Sequence, residues 1–552
     1  MNMLAAACRR SVEAAIMPEQ ALEIAALARK VESHFGGVPQ DVEWAIERGQ
    51  LNLLQARPMT ALPDDVDWTP PESGYWLRTF RLGEWLSDPM TPLFREWLLP
   101  VLDDGFLRGM RETTGTAIPF AHAAVNGWYY TMAGVQPSSI PRRFMSAIVE
   151  SRGRALPVLF NALLRVNTRP DLADRALLRG LAERWRNNML PNYQQLVAAG
   201  EASIETATPA QLFELVDAVG RSAGTYFWSL AIVGGSAWKM EACLARFVRN
   251  HLAGVAGADV QVLLRGLPAI TLGTPSHAVQ SIDWNFPTLG QQDAPPTLSA
   301  RRAQLVAERD AAEEAACRRD LMGRPALRAR FDSLLEVAQR YATIREEQAR
   351  WFTLGWPLLR RAVLRLGDNM CVGGVLERAE DVFFVTRAEL EQPTADLRDG
   401  VQRRRDEWRR QRRLVAPLEL GHAPAVLKRL LSGAAPVNRR TDLADDGLVG
   451  QGASPGRATG RVRLVHGVES FEAFQDGDVL VARATAPAWT PLFSRAVAVV
   501  TDSDTPAAHA SLVAREFGIP AVVGMGDATR RLRTGQLVTV DGNFGTVRIL
   551  GG

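Results

Sequence analysis

Thr501-Asp502-Ser503-Asp504-Thr505-Pro506-Ala507-Ala508-His509-Ala510-Ser511-Leu512-Val513-Ala514-Arg515-Glu516-Phe517-Gly518-Ile519-Pro520-Ala521-Val522-Val523-Gly524 is the stretch that decides the fold. Thr505 suits a helix N-cap and Pro506 the first helical position. Ala510, Val513 and Phe517 recur at i, i+3 and i+7, one face of a helix. Gly518 stops that helix and Pro520 forbids its continuation. His509 is thereby expected in the first turn, where free backbone N–H groups and the helix dipole favour an anion. A neutral imidazole there is a competent nucleophile toward a phosphoryl group.

Working outward, the last hundred residues are short valine-rich strands separated by glycine turns, with this one clear helix. A proline- and glycine-containing stretch from Gly433-Ala434-Ala435-Pro436 to Asp445-Asp446-Gly447 reads as a hinge before them. From about residue 72 to 435 the chain is helix-rich and carries eleven of the fourteen tryptophans. Leu327, Phe331, Leu334, Leu335, Ala338 and Tyr341 keep helical spacing across residues 326–356. The arginine run from Arg403 to Arg413, broken by Asp406, Glu407 and Trp408, reads as a solvated helix face. The histidines at 34, 251, 277, 422 and 466 show no metal-ligand spacing and read as structural. His122 also reads as structural, with Trp128, Tyr129 and Tyr130 close enough to line a pocket beside it, and aromatics of this zone suit pockets for large flat ligands.

The first sixty residues form a helix over 18–34 and two strands, 41–47 and 51–57, around Arg48-Gly49-Gln50. With Gly49 as pivot, Glu47 faces Leu51, Ala45 faces Leu53 and Glu43 faces Gln55, all on one side of the ribbon. Directly opposed Cβ atoms lie about 5 Å apart, so a carboxylate and an amide oxygen can share a hard cation such as Mg²⁺. Arg57 on the same face offers a planar fork for phosphate oxygens. The plain alternative is a solvated surface hairpin.

Composition sets the frame. At 552 residues about 3–4 domains are expected. A net charge of +3 argues against a nucleic-acid partner. Cys8, Cys243, Cys317 and Cys371 form no CxxC pair, which fits a reducing compartment without a zinc site or disulfide framework. Met1 to Cys8 lacks a basic n-region, and no apolar run reaches the ~20 residues of a membrane span. A cytoplasmic protein with no membrane partner is the expectation.

Two resemblances sharpen these readings. Gly37-Val38-Pro39-Gln40-Asp41-Val42-Glu43-Trp44 and Leu54-Gln55-Ala56-Arg57-Pro58-Met59-Thr60 resemble the end of the ATP-grasp domain of phosphoenolpyruvate synthase and its relatives. The resemblance implies that Glu43 and Gln55 hold magnesium and that Arg57 binds ATP phosphate. Gly452-Ala453-Ser454-Pro455-Gly456, Gly477-Asp478-Val479-Leu480-Val481, Thr490-Pro491-Leu492-Phe493, the run from His509 to Gly524, and Gly535-Gln536-Leu537-Val538-Thr539-Val540-Asp541-Gly542 resemble the mobile domain of phosphoenolpyruvate-utilising enzymes. In that family the domain swings between sites carrying phosphate on the histidine matching His509. The usual Gly-Gly-x-x-Ser-His is replaced here by Asp504-Thr505-Pro506-Ala507-Ala508-His509. Losing the glycines limits close backbone approach to phosphate, and Asp504 adds a negative charge.

The segments Leu86-Ser87-Asp88-Pro89-Met90-Thr91-Pro92-Leu93-Phe94 and Glu380-Asp381-Val382-Phe383-Phe384-Val385-Thr386 are similar to the middle domain of rifampicin phosphotransferases. The expected organisation is multidomain α+β. Residues 1–62 are the C-terminal part of an ATP-grasp domain, 63–440 a mainly helical substrate domain, and 441–552 a swivelling α/β phosphohistidine domain. The resemblance implies an ATP- and Mg²⁺-dependent phosphotransferase acting on a small-molecule hydroxyl acceptor, with a separate chain supplying the rest of the ATP-grasp domain. Two alternatives stay open: an ATP-dependent condensing enzyme of natural-product assembly, and a non-catalytic ligand-binding relative.

Overall fold

The computed structural model describes residues 18–35, 40–58, 66–78, 81–86, 88–117, 121–132, 145–146, 148–252, 255, 259–267, 275–291, 302–315, 321, 323–393, 397–414, 416–421, 447–467, 470–485, 489–502 and 509–550. The chain divides into two compact units, Met1–Trp68 and Thr69–Gly552. The joints expected at 62/63 and 440/441 lie outside the described residues.

The first unit contains helix α1 (Pro18–His34) and strands β1 (Gln40–Glu47) and β2 (Gln50–Pro58), which pair antiparallel. The turn is shorter than the sequence reading expects. It uses two residues, Arg48 and Gly49, at φ of 53° and 79°. Positive φ at both central positions gives a turn whose twist matches the flanking strands. Glu47 therefore faces Gln50 rather than Leu51, and Ala45 faces Asn52 rather than Leu53. An irregularity between Glu43 and Trp44 then absorbs Leu54, as a β-bulge does, and restores Glu43 opposite Gln55.

In the second unit the helical zone is built on α2 (Leu99–Thr114), α3 (Pro209–Ile232), α4 (Ala237–His251), α5 (Pro325–Phe352), α6 (Trp356–Val372) and α7 (Arg398–Arg413). Thr208 caps α3 through a reciprocal box with Gln211, satisfying two otherwise orphaned donors. The helical spacing seen over 326–356 is met: Phe331, Leu334, Leu335, Ala338 and Tyr341 are all buried. The tryptophans are mostly core, with Trp97 edge-to-face on Trp284 and Phe352 tilted against Trp356.

The sequence did not announce a small four-stranded sheet in this zone. Its strands are β3 (Trp76–Leu77), β4 (His122–Val125), β5 (Trp128–Met132) and β6 (Glu419–Leu420), in the order β4-β5-β3-β6. They are too short to show an alternation. The arginine run also departs from expectation, because α7 is solvated on one side only. Val401, Arg405 and Trp408 are buried. Arg405 pairs with Asp381, Arg404 with Glu389 at 2.7 Å, and Arg412 with Asp88 at 3.0 Å. Positions 401, 405, 408 and 412 share one face at helical spacing, so that face is anchored rather than wetted.

The C-terminal part carries an eight-stranded sheet of β7 (Gly447–Val449), β8 (Gln451–Ser454), β9 (Arg457–Val465), β10 (Val479–Ala482), β11 (Ala498–Thr501), β12 (Ala521–Val523), β13 (Leu537–Asp541) and β14 (Thr546–Ile549). The order is β7-β14-β13-β9-β10-β11-β12-β8, with β9 to β12 parallel. Helix α8 (His509–Phe517) connects β11 to β12. Among the described residues no helix is long and apolar enough to cross a membrane.

Helices α2 and α3 touch backbone to backbone. A Cβ added at Gly224 would lie 2.1 Å from the Leu102 carbonyl oxygen, and one at Gly105 equally close to that of Arg221. Gly224→Ala is expected to cost about 2–3 kcal/mol by overpacking. Gly180→Ala, at an exposed helical position with nothing within 4 Å, should instead gain about 0.5–1 kcal/mol. Urea unfolding of the two variants measures the contrast.

Candidate functional site

The hairpin brings together the three residues that the sequence singled out there. Glu43 stands directly opposite Gln55, and Arg57 Nη2 donates to Glu43 Oε1 at 2.6 Å. Both partners are about half exposed, with side-chain exposures of 57% and 52%, so the pair itself adds little stability. Its value is orientation: a carboxylate, an amide and a guanidinium share one open face. Among the described residues no group of three His, Cys, Asp or Glu forms a metal cluster.

His509 is the first described residue of α8, and residues 503–508, including Asp504, lie outside the described set. The parallel strands explain its position. β11 ends at Thr501, and α8 runs back before β12 begins. The start of α8 thus lies at the edge where the parallel strands end, the side on which open α/β sheets gather their ligands.

From Ala510 to Glu516 every residue of α8 is buried, including three polar ones. Arg515, 1% exposed, donates Nε to the Ala453 carbonyl at 2.7 Å and both terminal nitrogens to Glu241 of α4, at 3.0 and 3.3 Å. Glu516 accepts from the Leu267 amide at 3.0 Å. Gln261 and Arg265 of the helical zone reach the carbonyls of Gly452 and Pro455, at 2.9 and 3.2 Å. Ala278 and Leu289 complete the apolar core on this side of the sheet. The helix that begins at His509 is therefore seated between its own sheet and the helical zone.

At the same edge Arg483 directly follows β10 and Asp502 directly follows β11. The Arg483 guanidinium lies 4.9 Å from the Trp128 ring centroid, and Arg78, which directly follows β3, lies 4.7 Å from it. Asp502 accepts from the Thr529 amide at 3.1 Å and from its hydroxyl. Burial holds the Asp502 carboxyl above the usual range and pulls Arg483 below its own. His122 Nδ1 sits 2.6 Å from Asp103, and its ring stacks on Tyr129.

Sequence reasoning missed Arg78, Arg483, Glu241 and Arg515. Arg515 carried a signal, a charge inside an otherwise apolar short helix, which is a buried pair in waiting. Arg78 and Arg483 carried none.

Comparison with known proteins fits this geometry. Residues 474–545 match the model of the PEP-utilising enzyme mobile domain, and residues 4–72 that of the pyruvate phosphate dikinase AMP/ATP-binding domain. A rifampicin phosphotransferase of Streptomyces sp is 27% identical over 632 residues, covering 98% of this chain and 70% of that protein. An uncharacterized phosphotransferase of Bacillus subtilis is 26% identical over 596 residues, covering 96% and 70%. A phosphoenolpyruvate synthase of Aeropyrum pernix is 54% identical over 96 residues, which is 17% of this chain and 12% of that one. The two resemblances drawn from the residues are thus met at both ends of the chain.

His277, beside Ala278 of the shared core, is buried, stacked on Trp351 and 3.4 Å from the Thr353 hydroxyl. Burial, then the nearby Arg350 charge, pushes it down to about 4. Unfolded histidine titrates near 6.5, so the unfolded chain takes up the proton first as pH falls. Stability should fall between about pH 6.5 and pH 4, by up to about 3 kcal/mol from this group. Urea midpoints at pH 7 and pH 5 should converge in His277→Asn relative to the native chain.

Proposed function

We propose that this relative of the phosphoenolpyruvate-utilising phosphotransferases moves a phosphoryl group from ATP, by way of His509, to a hydroxyl of a small organic acceptor. The observation that carries the reading is the seating of α8, which follows β11 from the edge where the parallel strands end and packs against the helical zone. The match of residues 474–545 to the mobile domain supports it.

The chemistry asks three things of the chain. A nucleotide must be held by its phosphates, and Arg57 supplies a fork once its pair with Glu43 opens. The opposed oxygens of Glu43 and Gln55 fit Mg²⁺, which keeps several waters and takes its remaining contacts from phosphate. The ion would neutralise phosphate charge there. An imidazole nitrogen of His509 then forms a bond to the β-phosphorus of ATP as the bond from that phosphorus to the bridging oxygen of the α-phosphate breaks and AMP leaves. Water then cleaves the bond between the β- and γ-phosphates, leaving one phosphoryl group on the imidazole. With one water consumed, the balancing products are AMP and inorganic phosphate. In the second half an acceptor hydroxyl oxygen bonds to that phosphorus, the P–N electron pair returns to the imidazole, and the hydroxyl proton passes to a base. We further propose a separate chain as a source of nucleotide-binding surface beside this hairpin.

The test is transfer of label from β-labelled ATP to the protein, alone and together with an ATP-grasp protein. Label is expected on the native chain and not on His509→Ala. Arg57→Gln should weaken the dependence on ATP by about 10–100-fold, the loss of a charge-assisted contact. Label that persists in His509→Ala refutes the reading.

A further inference from the structure

Three helical stretches of the second unit turn polar faces toward common ground, where neighbouring helices ordinarily pack apolar ones. Arg108 and Glu112 lie one turn apart on α2, and Arg221, Ser222 and Thr225 share a face of α3. Arg184, Asn188 and Asn192 recur every four residues along the helical stretch 179–203. Between the three runs a groove of about 610 Å³, within the range of small-molecule sites. Its walls are fixed to one another. Helices α2 and α3 are locked at Gly105 and Gly224, and Arg184 Nη2 reaches across to Glu112 Oε2 at 3.5 Å.

The floor of the groove is already satisfied. Tyr226, 1% exposed, donates its hydroxyl to the Gln348 carbonyl at 2.9 Å. Thr225 Oγ1 is within reach of the Gly105 and Arg221 carbonyls, at 3.0 and 3.1 Å. The rim is not. The lining carries three guanidiniums and the one carboxylate of Glu112. Asp217, just beyond it, accepts from Trp97 Nε1 at 2.7 Å and stands 3.9 Å from Arg221. Arg108 has no carboxylate partner among the described residues, and Asn188, Asn192 and Ser222 likewise keep their side-chain donors and acceptors free there. A fixed floor beneath convergent free polar groups orients a polar ligand.

We propose that this groove binds a phosphorylated, hydroxyl-rich small molecule of the sugar-phosphate class. The guanidinium forks of Arg108 and Arg221 suit tetrahedral phosphate oxygens approached from two helices. The amides of Asn188 and Asn192 and the hydroxyl of Ser222 both donate and accept, as the hydroxyls of a sugar require. The groove is roomier than a lone phosphate needs, and an apolar ligand would find only Met189, Ala218 and the Tyr226 ring to cover it. The site lies wholly within the second unit, and it does not rest on the carrier reading of His509.

Calorimetric titration of the full chain with ribose 5-phosphate, glucose 6-phosphate, ribose and inorganic phosphate tests the site. Saturable binding of at least one sugar phosphate is expected, tighter than that of inorganic phosphate, with ribose giving none. Arg108→Gln should weaken it about tenfold or more, and Asn192→Ala about 3–10-fold. Arg108→Gln should weaken inorganic phosphate too, whereas Asn192→Ala should leave it unchanged, which separates the anion end of the site from the hydroxyl end. Both side chains are exposed, so the fold is kept, and thermal melts verify it. Arg57→Gln, on the hairpin, and Arg410→Gln, on the exposed face of α7, should bind as the native chain does. No saturable binding of either sugar phosphate by about 10 mM, or equal affinity in the native chain and Arg108→Gln, overturns the site. Binding no tighter than that of inorganic phosphate overturns its ligand class. Labelling of His509 from ATP judges the carrier reading separately.

Discussion

The fold around the candidate site depends on one buried guanidinium. Arg515 sits in the middle of a helix that has no solvent face between residues 510 and 516, and a charge there is tolerated only with full pairing. Three of its donor contacts go to a strand of its own sheet and to a carboxylate of the helical zone. Removing the carboxylate would leave the cation buried, which costs far more than the pair yields. The seated arrangement of sheet, helix and helical zone is thus the one in which this charge is satisfied.

That constraint has a chemical consequence. A helix fixed on both sides holds His509, the first of its described residues, at a defined place. The same seating sets Arg483 beside Trp128 and Arg78. The hairpin with Glu43, Gln55 and Arg57 belongs to the other compact unit.

Much of this was legible in the residues, for identifiable reasons. Helix α8 was readable because Gly518 and Pro520 end it and its apolar spacing is regular. The opposition of Glu43 and Gln55 was also foreseen, though through two compensating errors. The turn is one residue shorter than assumed, and the irregularity at Leu54 restores the register. Strand alternation alone cannot see a bulge. The small sheet β4-β5-β3-β6 stayed hidden because strands of two to five residues carry no period. The Arg78, Trp128 and Arg483 grouping comes from distant parts of the chain, and no local pattern marks such a meeting. The run at 403–413 misled in the opposite way, since its anchoring partners Asp88, Asp381 and Glu389 lie on other elements.

The seating through Arg515 is tested most directly by hydrogen exchange on Glu241→Gln beside the native chain. The neutral amide keeps the size of the side chain and removes the charge that Arg515 requires. Amides of residues 510–517 and of β8 should then exchange about tenfold faster or more, while β9 and β10 keep their protection. Unchanged exchange across α8 in Glu241→Gln would contradict the account, because the helix would then be held without its ion pair.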